Sequence, residues 1–231
     1  MHILSVVVIL AATGHAIAAD ASPKKTSMDA LQAFNNLIGS WRCTGTPEGK
    51  RKEFWTETMA WQWQFKGDEA WLTVAFEKGK YFTGGELRYV PDKEHYQLTI
   101  ETVDKTKFAF NGALKEKVLT LEREEADSKE GHRLVFTFLH PNRILYRYEV
   151  KPAEQKNFAK VYQVGATKEG VPFAEGETGP ECIVSGGLGT IKVTYNGQTY
   201  WFCCSGCRDA FKDDPEKYIK EYEAKKKAKE K

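Results

Sequence analysis

The amino-acid sequence predicts a mainly β protein, with an N-terminal antiparallel β-barrel of eight to ten strands and a small C-terminal α+β cysteine module. Ten short runs of alternating polar and apolar residues lie between residues 40 and 164, and four of the five cysteines follow residue 180. With 231 residues, 41% of them hydrophobic, the chain can bury one large core or two modest ones. The formal net charge of +2 gives the chain no overall attraction to nucleic acid or to an anionic membrane.

The N-terminal residues 1–19 have the pattern of a secretory signal peptide. An apolar run from Ile3 to Ala12 is followed by Gly14 and by small residues before Asp20. The alternative is an uncleaved membrane anchor, although the run is short for a membrane span. We therefore expect a periplasmic or secreted protein without stable membrane insertion after processing, and a flexible start at residues 20–27.

The barrel is predicted over residues 28–166, beginning with a short amphipathic helix. Leu31, Phe34, Leu37 and Ile38 recur at helical spacing in residues 28–38. Turn residues such as Lys66-Gly67-Asp68 separate many of the runs that follow. The ten predicted strands are residues 40–46, 53–65, 69–76, 81–90, 96–103, 107–110, 118–123, 133–139, 143–150 and 159–164. A meander of this size can remove its exposed edges by closing into a barrel that encloses a small ligand.

The first strand adds a short sequence match. Gly39-Ser40-Trp41 resembles the Gly-x-Trp opening of lipocalins and their calycin relatives, in which the Trp closes one end of the barrel. Residues 28–166 as a whole resemble bacterial domains of uncharacterised function that are predicted to form such barrels. These resemblances imply a lipocalin-like architecture and no particular chemistry.

Four tryptophans are concentrated on the second and third predicted strands: Trp55, Trp61, Trp63 and Trp71. They could line a pocket for a small apolar ligand, and the alternative is that they pack in the core and on the surface. Glu57, Glu69 and Glu77 alternate with apolar residues in the same region, and we expect them to face solvent.

The barrel histidines are His95, His132 and His140, and we expect them in turns or at strand ends. No Ser or Cys nucleophile motif lies beside them, so the sequence predicts a protein that is not an enzyme. The resemblance to calycins, which include haem binders with one histidine ligand, makes each histidine a candidate iron ligand. The alternative for each is a hydrogen-bonded or solvent-facing side chain.

Residues 167–180 are predicted to be a linker, residues 181–222 a compact module and residues 223–231 a lysine-rich tail. Asn196-Gly197 between two alternating runs, 191–195 and 199–202, predicts a β-hairpin. Ser205-Gly206 predicts a tight turn before a helix that begins near Arg208. Asp214-Pro215 then predicts the start of a second helix, which continues into the solvated tail.

The module brings four cysteines to one strand-to-helix turn: Cys182, Cys203, Cys204 and Cys207. A helix start favours thiolates because its free N–H groups carry positive partial charge. Clustered thiolates are suited to a soft metal ion.

This segment resembles the YHS and TRASH family of small, treble-clef-like metal modules. The shared features are a cysteine after a Pro-rich lead, a Tyr-x-Gly-x-x-Tyr-x-Phe-Cys hairpin, a Cys-x3-Cys turn and a Phe-x3-Pro-x2-Tyr helix. They are carried here by Cys182, by residues 195–203, by Cys207 and by residues 211–218. The resemblance implies heavy-metal binding in trafficking, sensing or resistance, with Cys182, Cys203 and Cys207 as ligands to zinc or copper(I).

The departures from the family pattern leave the fourth ligand open. The usual methionine after the first cysteine is missing, and no histidine follows His140. Three thiolates do not complete a tetrahedral zinc site, whereas Cu(I) accepts two or three. The fourth donor could be Cys204, Glu181, Asp209, water or a bound partner.

Two alternatives to a metal site remain. In an oxidising compartment Cys182 could form a structural disulfide with Cys203 or Cys207, and a strained Cys203–Cys204 ring is also conceivable. In that case the protein would be a carrier of an apolar ligand or haem. Cys204 and Cys207 also have the spacing of a thiol oxidoreductase, but the thioredoxin pattern of strands and helices is absent from the flanking sequence.

Overall fold

The computed structural model describes residues 25–50, 52–171 and 179–229. The predicted signal peptide, residues 20–24 of the predicted flexible start and residues 172–178 of the predicted linker lie outside these ranges. Helix α1 (Ser27–Leu31) and a 3₁₀ helix (Gln32–Leu37) lead into the barrel. Its strands are β1 (Gly39–Pro47), β2 (Trp55–Lys66), β3 (Glu69–Glu77), β4 (Phe82–Val90), β5 (His95–Thr102), β6 (Lys107–Lys115), β7 (Val118–Glu124), β8 (Gly131–His140), β9 (Arg143–Lys151) and β10 (Ala159–Lys168).

The ten strands form a closed antiparallel barrel in which each strand pairs with its neighbours in sequence and β1 also pairs with β10. Side chains alternate between the core and the outer face, as Tyr96, Leu98 and Ile100 on β5 show by their burial. The prediction of a mainly β protein with an antiparallel barrel is confirmed.

The helical lead closes one end of this barrel. Phe34 of the 3₁₀ helix packs edge-on against Tyr96, with ring centroids 5.1 Å apart, and the Tyr96 hydroxyl donates to Ala30 O. Trp41 is fully buried, and its Nε1 donates to Leu37 O at 2.7 Å. The Gly-x-Trp segment therefore lies at the closed end of the barrel, next to the helical lead.

The expectation that Glu57 faces solvent is wrong. Glu57 is 5% exposed, on the same inward face of β2 as Met59 and Trp61. Its carboxylate accepts hydrogen bonds from Tyr146 Oη at 2.6 Å, Trp55 Nε1 at 3.1 Å and the backbone N–H of Lys80 at 3.0 Å. Three donors replace the lost water, so a carboxylate is tolerated inside the barrel.

The C-terminal module contains β11 (Ile191–Tyr195), β12 (Gln198–Phe202), α2 (Ser205–Asp213) and α3 (Pro215–Lys229). Asn196 and Gly197 have φ values of 48° and 77°, as the predicted two-residue hairpin turn requires. Helix α2 begins at Ser205, three residues before its predicted start, with Cys204 as the N-cap residue in an extended conformation. In the described part of the chain, no helix is both long and apolar enough to cross a membrane.

The module packs against the closed end of the barrel, along one edge of β2. Strand β1 begins at Gly39, which pairs with Trp61, so the last residues of β2 have no partner strand on that side. The first turn of α2 covers this edge, and a Cβ atom on Gly206 would lie only 1.8 Å from Trp63 O. An ion pair between Lys217 and Asp68, at 3.2 Å, adds a contact at the rim.

Candidate metal centre

Three thiols meet where the hairpin ends and α2 begins. Cys182 comes from the loop before the hairpin, Cys203 follows β12 directly, and Cys207 lies in the first turn of α2. The sulfur atoms of these three residues all lie within 4.8 Å of one another, and Cys203 Sγ is 3.5 Å from Cys207 Sγ. All five cysteines of the chain are free thiols in the structure. Three soft donors thus face a common centre, as one thiophilic ion requires.

The loop around Cys182 is fixed by backbone hydrogen bonds. The N–H of Cys182 donates to Gly187 O at 2.6 Å, and the N–H of Gly186 donates to Cys182 O at 2.9 Å. Gly186 has a φ of +75°, the left-handed conformation that glycine adopts most readily. This turn directs the N–H of Ser185 back to Cys182 Sγ, at 3.5 Å.

Cys204 occupies a different position from the other three thiols. Its sulfur is 3.9 Å from Cys203 Sγ but is not part of the set that shares the 4.8 Å limit. It is 6% exposed, and it lies at the interface with β2. Contacts with Cys203 lower the pKa of Cys204 most, and the backbone N–H of Trp63 in the barrel also lowers it.

The pKa values of the clustered thiols are shifted in different directions by their surroundings. Hydrogen bonds from Cys203 and Cys207 lower the pKa of Cys182. The contact between Cys203 and Cys182 raises the pKa of Cys203. Burial raises the pKa of Cys207 well above its usual value. In the metal-free protein at neutral pH, Cys203 and Cys207 therefore retain protons that a bound metal ion would have to displace.

The carboxylates suggested as a fourth donor lie elsewhere. Glu181 and Asp209 are both exposed and are not among the residues grouped around the three sulfurs. Asp209 accepts a hydrogen bond from Arg208 Nε at 2.9 Å.

Sequence reasoning missed Ser185, which is fully buried beside the cluster. Its Oγ lies 3.2 Å from Cys203 Sγ, and its backbone oxygen accepts a hydrogen bond from Asn35 Nδ2 at 2.9 Å. The available signal was spacing, since Cys182-x-x-Ser185 has the spacing of the Cys-x-x-Cys pairs in metal-binding loops.

The structure does not gather the four tryptophans into one pocket. Trp61 and Trp63 are buried on the inward face of β2, and Trp63 Nε1 donates to Asn35 Oδ1 at 3.1 Å. Trp71 is half-buried, and the Arg88 guanidinium lies over its ring, with Arg88 Cζ 4.2 Å from the ring centroid. Trp55 is at the opposite end of β2 from Trp63, against Tyr81 and Tyr162.

The three histidines are also separate from one another. His95 opens β5, and His140 closes β8 with its Nδ1 2.6 Å from Asn142 Oδ1. His132 is buried near the start of β8, with its Nδ1 2.6 Å from Tyr148 Oη. Burial and the nearby charge of Arg123 lower the pKa of His132.

Comparison with known proteins gives a family match and a set of similar solved structures. Residues 189–222 match the family model of the YHS domain, and Cys182 precedes the matched range. No curated protein matches the chain. The crystal structure of Rv2717c from M. tuberculosis is similar at a TM-score of 0.40 and 15% identity, over 61% of this chain and 97% of that one. The chain therefore carries a YHS domain at residues 189–222, preceded by a ten-stranded antiparallel β-barrel.

Proposed function

We propose that the protein is an exported, non-enzymatic metal-binding protein in which Cys182, Cys203 and Cys207 hold one thiophilic ion. The observation that carries the proposal is the convergence of three sulfurs within 4.8 Å, next to the helix start of a YHS domain. The N-terminal end of α2 adds positive partial charge on the side of Cys207. Zinc and copper(I) are the candidate ions, because both accept thiolate ligands.

Differences in exposure among the ligands support a role in metal trafficking, sensing or resistance. Cys182 and Cys207 are fully buried, whereas Cys203 is half-buried. An ion would thus enter and leave on the side of Cys203, where a thiol of a partner protein could replace one ligand at a time. Export is supported by the pattern of residues 1–19, and in an oxidising compartment the ion would protect the thiols from disulfide formation.

The first test is metal loading of the full-length protein, purified and reduced without oxygen. We expect one Zn(II) or Cu(I) per chain by elemental analysis, with release of at least one proton per ion at neutral pH. The protons come from Cys203 and Cys207, whose pKa values are raised, so affinity should increase as pH rises from 6 to 8. If metal stays at background level and the oxidised protein contains a disulfide of Cys182, the cysteines form a structural disulfide and the metal-binding proposal is wrong.

A pocket at the open end of the barrel supports a second candidate function, the carriage of a small apolar ligand. The pocket measures about 350 Å³ and is lined mainly by aromatic rings. Tyr162 is 2% exposed and its hydroxyl has no hydrogen-bond partner among the described residues. Arg123 lies 4.1 Å from the centroid of Phe108 and forms an ion pair with Glu125 at 3.2 Å, with its side chain 14% exposed. A ligand with an aromatic ring would suit these groups, and a carboxylate on that ligand would share Arg123 with Glu125.

This second function predicts a fluorescence change on titration with a panel of small aromatic carboxylates. Trp55 should report binding, because its ring is 5.7 Å from that of Tyr162 in the pocket wall. Arg123→Gln should weaken carboxylate binding by about tenfold, or about 1.4 kcal/mol, and leave binding of the matching amides unchanged. The signal should be lost in Trp55→Phe. Silence across the carboxylates, fatty acids and haem would exclude the carrier function.

A further inference from the structure

Ser185 lies next to the sulfur cluster of the metal site. It follows Cys182 by three residues in the tight turn, and it contacts two of the three sulfurs. Its backbone N–H is 3.5 Å from Cys182 Sγ and its hydroxyl is 3.2 Å from Cys203 Sγ. Ser185 is fully buried, so water does not compete for these contacts.

The neighbours of the Ser185 hydroxyl determine what it can do. The backbone N–H of Gly187 donates to Ser185 Oγ at 3.3 Å, which occupies an acceptor site of the oxygen. The hydroxyl lies 3.2 Å from Cys203 Sγ and either group can be the donor, so the hydroxyl donates once Cys203 has lost its proton to a bound ion. When Cys203 is a thiolate, this hydrogen bond is charge-assisted and stabilises the anion.

The barrel fixes Ser185 from the other side. Asn35 donates from Nδ2 to Ser185 O at 2.9 Å and accepts from Trp63 Nε1 at 3.1 Å. A chain of hydrogen bonds thus runs from a buried indole of the barrel, through Asn35, to the loop that carries Cys182. The position of the Ser185 hydroxyl is therefore set by packed groups in both parts of the protein.

Cys204 is the competing candidate for the fourth position. It follows Cys203 directly and has an extended backbone, with φ of −158° and ψ of 173°. Its sulfur lies 3.9 Å from Cys203 Sγ but outside the set of three sulfurs that all lie within 4.8 Å of one another. The thiol of Cys204 also contacts the backbone N–H of Trp63 in the barrel.

We propose that Ser185 is the fourth group of the metal site: its hydroxyl holds the Cys203 thiolate and, by standing in place of a fourth sulfur, makes the site selective for an ion satisfied by three thiolates, such as Cu(I). The inference rests on the proposed function. Zn(II) in the same site has to complete its tetrahedron with an oxygen or nitrogen donor. Ser185 is thus a positioning residue that determines metal preference.

The test compares wild type, Ser185→Cys and Cys204→Ser, each loaded with Zn(II) and studied by X-ray absorption. We expect three sulfurs per zinc in wild type, four in Ser185→Cys and three in Cys204→Ser. Competition with chelators should show that Ser185→Cys raises Zn(II) affinity at least about tenfold and raises the ratio of Zn(II) to Cu(I) affinity. Ser185→Ala should lower Cu(I) affinity by roughly 10- to 100-fold, as is usual when a group that supports a ligand is removed.

Several outcomes would contradict this assignment. Four sulfurs in wild type and three in Cys204→Ser would make Cys204 the fourth ligand, with the proposed metal function intact. Three sulfurs in a folded Ser185→Cys, or an unchanged Cu(I) affinity in Ser185→Ala, would remove Ser185 from the site. If wild type binds neither ion, the proposed function itself fails, and the sulfur counts distinguish that case from the others. Circular dichroism of each variant establishes that the barrel has folded.

Discussion

Replacing Cys207 by Ser is expected to lower the affinity for Zn(II) and Cu(I) by more than about 100-fold. Structural zinc sites contribute roughly 10–16 kcal/mol of binding free energy, so one of three thiolates represents on the order of 3 kcal/mol or more. Cys207 is fully buried, and its sulfur lies 3.5 Å from Cys203 Sγ. Chelator competition on anaerobic protein measures the loss.

Cys43→Ser is the matched control for this experiment. Cys43 is also fully buried, but it lies on β1 inside the barrel, where burial raises its pKa to about 12. We expect its replacement to lower barrel stability and to leave metal affinity unchanged. Equal affinity losses in the two variants would mean that the loss reflects general unfolding, and an unaffected Cys207→Ser would exclude Cys207 as a ligand.

The barrel could be predicted because the patterns that indicate its strands and turns each lie within a short segment of the sequence. Alternation along each strand and turn residues between strands gave all ten strands in the right order. The largest error in strand length concerns β6, which continues to Lys115 instead of ending at 110. Asn111 and Gly112 are typical of a turn, yet Gly112 is required there because a Cβ atom would lie 1.8 Å from Thr120 O on the next strand. Strand pairing outweighed local preference.

The candidate site was only partly accessible from sequence. The spacing of Cys182, Cys203 and Cys207, with the resemblance to a known module, selected the thiols that the structure groups together. Ser185 and Cys204 were not resolved, because their roles depend on contacts with Asn35 and Trp63, which are about 150 residues away in the chain. Glu57 was misplaced for a similar reason, since its donors come from other strands and turns. Patterns within one segment do not contain such contacts.

The docking of the module on the barrel leads to the second large effect, which is expected for Gly206→Ala. A Cβ atom at this position would lie 1.8 Å from Trp63 O and 2.8 Å from Trp63 C, both backbone atoms of a paired strand. Because β2 is held by β3, the first turn of α2 has to move instead. We expect a loss of about 1–3 kcal/mol, typical of overpacking, and a Tm lower by roughly 3–10 °C. Thermal unfolding of the metal-free protein measures this change.

Gly165→Ala provides the control, because its Cβ atom would meet only Leu145 Cδ2 at 3.6 Å, an ordinary contact, and should change stability by less than about 0.5 kcal/mol. Gly206→Ala should also weaken metal binding, because Cys207 is the next residue and moves with the helix start. If Gly206→Ala lost metal affinity at unchanged Tm, α2 would have moved without a measurable loss of stability, and its packing on the barrel would contribute little to the free energy of unfolding. If both quantities stayed at wild-type values, the close packing of α2 on β2 would be wrong, and with it the argument that the barrel positions the thiols.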